Sequence, residues 1–268
     1  MAAPTAASPG AKSADRPIRR PGRKAPFPLN LYQTFVGKKW VMAVTGLMLI
    51  GFVLSHLFGN IKLYIGVVQE GDEFVYDADL YGEFLRELLV PLFPHGWLLW
   101  ILRFGLIGAF GLHIHSAYSL KRVSQAANQS YASKRDWLAA NFASRSMRWT
   151  GPIVMIYLIF HLADLTWGWI PNTDWEKGAI QANVVNSFSN PGIALIYIVA
   201  NVALSIHLYH GMYSLFQSLG INNPRYNQLR RSLATVVAGV ILVGNVSFPI
   251  AVQTGIIEFD PSLIGPVG

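Results

Sequence analysis

Residues 40–59 read WVMAVTGLMLIGFVLSHLFG, a run with no Asp, Glu, Lys or Arg. A helix rises 1.5 Å per residue, so a run of this length crosses the ~30 Å hydrocarbon core of a bilayer. Four more stretches share the character. Residues 96–120 are broken only by Arg103, and 149–170 only by Asp164. The fourth lies within the uncharged run 191–224, and the fifth covers 232–257. Proline and Asn-Pro at 91, 94, 171, 190–191 and 224 punctuate most of the boundaries. The pattern predicts an all-α polytopic membrane protein, a five-transmembrane-helix bundle with spans at about 38–61, 96–121, 148–171, 191–219 and 231–256.

Composition agrees. Of 268 residues, 52% are hydrophobic and 13% charged, against about 25% charged in a soluble domain. Mean hydropathy is +0.36. A soluble globule is thereby excluded. Cysteine is absent, which excludes disulfides, thiol catalysis, c-type haem attachment and an iron–sulfur cluster on this chain's own thiolates. Residues 1–30 are polar, Pro-rich and basic, with no apolar signal-peptide core, and read as a disordered cytoplasmic tail. Residues 31–260 form the membrane domain.

Charge sets the orientation. The segment before Trp40, the 121–148 loop and the 225–231 loop hold 17 of the 21 Lys and Arg. Of 14 acidic residues, only Asp15 and Asp136 lie on that side. The positive-inside rule then puts the N-terminus in the cytoplasm and the C-terminus outside. The net charge of +7 is a topology signal, and nucleic acid is not a partner. The acidic 61–95 segment reads as an outer loop with one short interfacial helix over Tyr81–Leu92. Trp97, Trp100, Trp167, Trp169 and Trp175 read as an aromatic belt.

The histidines carry the chemistry. Six of the seven lie in spans; His95 is at a boundary. Ionisable groups inside a membrane are costly, and each is a functional hypothesis. Helix rise gives their depths from the inner boundary: roughly 25 Å for His56, 20 Å for His161, 12 Å for His113 and 15 Å for His207. Two levels emerge, each with two imidazoles from alternate helices. Bis-imidazole ligation makes a six-coordinate b-type haem suited to electron transfer. Zinc sites want three or four ligands, which neither level supplies. An internal repeat accompanies the pairing: Thr45-Gly46 precedes His56 as Thr150-Gly151 precedes His161. Glycine there permits close helix approach. Ala117 follows His113 and Gly211 follows His207 by four, leaving little bulk on the face beside each ligand. Ser119 after His115 satisfies the same rule, so helix two offers two candidates, roughly 200° apart, of which one faces inward. His210, one turn past His207, has two readings: a propionate partner, or plain packing.

The motifs T-G-x9-H-L-F-G-N (45–60), L-H-I-H-S-A (112–117), T-G-x9-H-L (150–162) and H-x3-G (207–211) together resemble the dihaem cytochrome b membrane anchor of succinate:quinone oxidoreductases and quinol:fumarate reductases. The resemblance covers about 40–257. It implies two b haems, the outer on His56 and His161 and the inner on His113 and His207, with His113 preferred over His115. It implies a cytoplasmic flavoprotein subunit that oxidises succinate, an iron–sulfur subunit docked on the inner face, and quinone, menaquinone in this anchor class, as the membrane substrate. It leaves room for an additional small anchor chain. This subunit would then belong to an enzyme, though no residue of its own is assigned a catalytic role. Some fumarate reductases of the family carry a glutamate two residues before the fourth-helix ligand; here that residue is Ser205, which favours the succinate-oxidising direction.

Two charges inside spans remain. Arg103 and Asp164 read either as a buried ion pair between helices two and three, or as contacts to a haem propionate or quinone carbonyl. Arg148 is a further propionate candidate. Two other readings stand beside the first: a dihaem anchor for another respiratory dehydrogenase with its catalytic subunits outside, and a haem-free anchor or transporter. No Gly-rich phosphate loop, nucleophile triad or catalytic carboxylate pair is present.

Overall fold

The computed structural model describes residues 26–128, 137–170, 174–221 and 223–266, with backbone alone over 125–128 and 137–145. The tail expected to be disordered therefore lies outside the described residues up to position 25.

Among the described residues, five helices are long and apolar enough to span a membrane: Phe35–Tyr64, Trp97–Ser124, Ser146–Thr166, Pro191–Ser218 and Pro224–Gln253. The chain is an all-α polytopic membrane protein. Its elements in order are α1 (Leu29–Gln33), α2 (Phe35–Asn60), β1 (Val67–Glu70), β2 (Glu73–Tyr76), α3 (Asp77–Glu87), α4 (Trp97–Asn128), α5 (Trp137–His161), α6 (Ile180–Ser189), α7 (Pro191–Ser218), α8 (Asn227–Gln253) and β3 (Gly265–Pro266). Local chemistry sets the starts. Thr34 accepts from the Gly37 amide at 2.9 Å and caps α2. Asn190 accepts from the Gly192 and Ile193 amides, and Pro191 takes the first turn of α7. A π turn over Leu162–Thr166 continues α5 directly after His161.

Helix α7 is the centre. Its Tyr197, Ala200, Ala203, Leu208, Met212 and Leu215 are buried, and it packs on α8, α5 and α2. Helix α4 lies at the periphery against α2, with Ala109, Ser116 and Leu120 buried. Most of its other side chains are exposed and apolar, as a lipid-facing surface must be. Helix α2 packs closely on α4 and α5 on α7, while α8 packs along α7 and makes the most extensive contact in the bundle. The short helix α1 packs on α2, and from it Tyr32 reaches α4, where its hydroxyl bonds His115 and, at 3.1 Å, Ser116.

One end of the bundle is basic, where α2 begins, α4 ends and Pro224–Arg231 turns back. The other, acidic end differs from the expected solvated loop. Strands β1 and β2 form an antiparallel hairpin with Val67 opposite Tyr76 and Glu70 opposite Glu73. Gly71 supplies the positive φ of 59° at its tip. Strand β3 adds to β2, so the C-terminal segment folds over the hairpin. The helix expected at Tyr81–Leu92 instead runs Asp77–Glu87, because Asp77 and Asp79 in its first turn favour an N-terminus there. It is not a free interfacial helix. Gly82 leaves room for Ile180 of α6, whose Cδ1 stands 2.5 Å from where a Cβ would be. Gln181, buried, donates to the Leu63 and Glu258 carbonyls. Helix α6 itself was not anticipated. The loop expected over 121–148 is also largely helical, since α4 extends to Asn128 and α5 begins at Trp137.

Helix α6 has no side-chain cap of its own. Asp79 of α3 supplies one, accepting from the Gln181 amide at 2.9 Å. Burial pushes the Asp79 carboxyl above its ordinary value, against the opposing effect of the Gln181 and Ile180 amides. Asp79→Ala is expected to cost about 1 kcal/mol, read as a lowered melting temperature in detergent. A raised folded-state value means the folded chain holds the proton more tightly. The Asp79 contribution should therefore grow as pH falls through that value and be complete below the ordinary carboxylate range. Comparing melting of wild type and Asp79→Asn across acidic pH checks the sign.

Candidate functional site

Two imidazole pairs bridge the helix pairs. His56 of α2 and His161 of α5 have ring centroids 5.9 Å apart, with planes at 85°. His113 of α4 and His207 of α7 have centroids 6.5 Å apart, with planes at 64°. His115 does not reach His207's neighbourhood through its ring contacts; it meets Tyr32 of α1 at 5.7 Å between centroids. His210 packs edge-on against Tyr209. His95 lies outside the bundle and bonds Glu83 at 2.8 Å.

The repeated T-G-x9-H motif works across the pairs. Thr45 and Gly46 do not serve His56 on their own helix; they hold His113 of the neighbouring α4. Nδ1 of His113 stands 3.3 Å from Thr45 Oγ1 and 3.2 Å from the Met42 carbonyl. A Cβ on Gly46 would come within 3.3 Å of His113 Cε1. The second copy repeats this. Thr150 Oγ1 lies 3.3 Å from Nδ1 of His207, and a Cβ on Gly151 would lie 3.9 Å from His207 Cε1. Each copy of the motif thus cradles a histidine of one level with its Thr-Gly and supplies a histidine to the other level. Eleven residues along α2 separate Thr45 from His56, or roughly 16 Å of helix rise between levels.

The donor sets suit iron held between two imidazoles. A metal–imidazole bond is about 2.0–2.1 Å, so two facing rings that share one metal have centroids roughly 6 Å apart. The two observed separations bracket this. Each level offers two imidazoles and, with cysteine absent, no thiolate, the donor set a bis-imidazole haem would use. Of the four imidazoles, His56 keeps exposed surface and the others are half-buried, an unfavourable state inside a span unless a ligand covers them.

The acidic-end pair stands beside a buried polar cluster. His161 lies between Tyr157 and Tyr197, at 5.8 and 5.9 Å, and its Nδ1 is buried without a hydrogen-bond partner. Asp164, 1% exposed, accepts from Tyr197 Oη at 2.8 Å and Ser187 Oγ at 2.6 Å. Asn201 donates to Tyr157 Oη and accepts from Asn245 of α8. The expected Arg103–Asp164 ion pair is absent among the described residues. Two hydroxyls donate to Asp164 Oδ2 in its place while Oδ1 is buried without a hydrogen-bond partner, and Arg103 is exposed on α4, its guanidinium 4.9 Å from the Trp100 ring. Arg148 is exposed on α5. Asn201 and Asn245 were legible as polar residues within spans but were passed over. Trp175 packs on Gly168 and donates to the Leu165 carbonyl. Ser205 is buried, with Oγ unpartnered.

Asp164→Ala would leave two buried hydroxyls without their acceptor. A buried donor left unsatisfied costs about 1–3 kcal/mol, so for the two hydroxyls a loss of about 2–6 kcal/mol is expected. The drop in melting temperature should be partly restored by Asp164→Asn.

The fold is a multi-span helical membrane bundle that carries two facing histidine pairs. Residues 129–246 match the family model described as succinate dehydrogenase/fumarate reductase transmembrane subunit. The match takes in α5, α7 and most of α8, with His161 and His207, and over that stretch it agrees with the resemblance to a succinate dehydrogenase/fumarate reductase membrane anchor; two of the four motifs, at 150–162 and 207–211, lie within it. No curated protein and no solved structure matches the chain.

Proposed function

We propose that the chain is the dihaem cytochrome b anchor of a succinate:quinone oxidoreductase. The observation that carries this reading is the presence of two facing imidazole pairs at two levels, each drawn from two different spans. His56 with His161, and His113 with His207, would each hold one b haem. When bound, the haems supply reversible one-electron transfer along the bundle axis. Succinate oxidation in the flavoprotein subunit releases two electrons and two protons, and quinone takes up two of each. An iron–sulfur subunit would deliver the electrons at the basic end, to the His113–His207 level first. Menaquinone would be reduced within the membrane. The basic end faces the cytoplasm of a bacterium in this reading, supported by the charge asymmetry.

The polypeptide's own work is threefold. It places four neutral imidazoles at two depths. It surrounds them with apolar helix surface that keeps water away, and it holds the Asp164 cluster against the His161 level. Arg103 and Arg148, both exposed on their helices, are kept as candidate contacts to a propionate or quinone carbonyl.

Reduced-minus-oxidised spectra and a pyridine haemochrome assay on the purified chain test the reading. Two b haems per chain are expected. A folded chain from haem-replete cells that carries none would overturn it.

A further inference from the structure

We propose that Thr45 and Thr150 are positioning residues that fix one tautomer of the His113–His207 pair and so present both Nε2 atoms to a single iron. The inference rests on the haem reading above and adds to it which groups tune that level.

The argument is one of proton accounting. A threonine hydroxyl has one proton to donate and lone pairs to accept with. Thr45 spends its proton on the Val41 carbonyl at 2.7 Å. Thr150 spends its proton on the Ser146 carbonyl at 2.8 Å. Both oxygens can then only accept from the imidazole that faces them. The Met42 carbonyl, 3.2 Å from His113 Nδ1, can likewise only accept. Nδ1 must carry the proton in both rings, and Nε2 keeps the lone pair that binds a metal. A ring nitrogen that donates to an oxygen makes its partner nitrogen a better ligand and holds the ring plane. The His56–His161 level differs, since Nδ1 of His161 is buried with no such partner. The two levels are thus chemically distinct although the motif that builds them is repeated.

The repeat also explains why Thr and Gly are adjacent. Gly46 lets the His113 ring come close enough for its neighbour's hydroxyl to reach Nδ1. Gly151 does the same, more loosely, for His207.

The test uses the full chain with Thr45→Val, Thr150→Val and the double variant. Valine keeps the shape and removes the hydroxyl. His113→Ala and His161→Ala first assign which spectral and EPR features belong to which haem. The expected result is a 10- to 100-fold loss of affinity for the His113–His207 haem, a rise in its midpoint potential, and a shift in its low-spin EPR signal. The other haem should keep its potential and spectrum, and Thr→Ser at either position should restore the wild-type values. Unchanged potentials and occupancy at both levels in the double variant would overturn the inference. So would equal losses at both levels, which a general packing defect would produce. A wild-type chain with no haem overturns the reading beneath it, and that outcome is visible before any threonine is changed.

Discussion

On the dihaem reading, replacing His207 with alanine is expected to leave one b haem per chain in place of two. Each level has two ring nitrogens from two helices, and no second residue stands ready to substitute. His210, a turn away, packs against Tyr209, and His115 is engaged by Tyr32. With His113 alone, one of the two imidazoles that would hold the iron is gone, and a six-coordinate low-spin site could not form. Electron flow from succinate to quinone through the assembled complex should fall on the order of 100-fold or more, beyond the range seen when only a ligand's support is removed. His115→Ala and His210→Ala should both keep two haems. Haemochrome counts on the three variants decide the matter, and two haems in His207→Ala would overturn the pairing.

The second large effect is expected at Gly46. A Cβ there would stand 3.3 Å from His113 Cε1 and 3.6 Å from Nδ1, so alanine forces a small shift. Valine adds two branches next to the ring and should drive His113 from its seat, with at least a tenfold fall in occupancy of that haem. The haem on His56 and His161, about 16 Å along the helix, should remain. Gly151→Ala should be milder, because its contact is 3.9 Å. Gly239→Ala in α8 faces open space and should leave both haems in place, with a helix-propensity gain of up to about 1 kcal/mol. Potentiometric titration of the two haems separates these cases.

Legibility followed the range of the interactions. The hairpin had a local signal in VVQEGDEFVY (67–76), apolar runs on either side of a Gly-Asp turn, but it was read through its charge as a solvated loop. Helix α6 had only the Asn190-Pro191 boundary to announce it, and its cap comes from Asp79, some hundred positions earlier in the chain. The Arg103–Asp164 pairing followed from matching depths alone. It fails because depth says nothing of rotation about the helix axis, and α4 turns Arg103 outward.

What the sequence determined by itself is what one dimension can encode. Uninterrupted apolar length specifies five spans, because bilayer thickness and helix rise are constants. Residue spacing along each span specifies the depth of each histidine for the same reason. What only the tertiary structure decided is azimuth and partnership. Whether His113 or His115 faces His207 depends on how α4 rolls against α2, which is set by buried Ser116 and the Tyr32 contact. That Thr45-Gly46 serves the histidine of a neighbouring helix, and not the His56 that follows it in the motif, depends on the lateral packing of two helices. A repeat in sequence records that both halves pack alike, but the direction in which each motif points is fixed only once the helices are side by side.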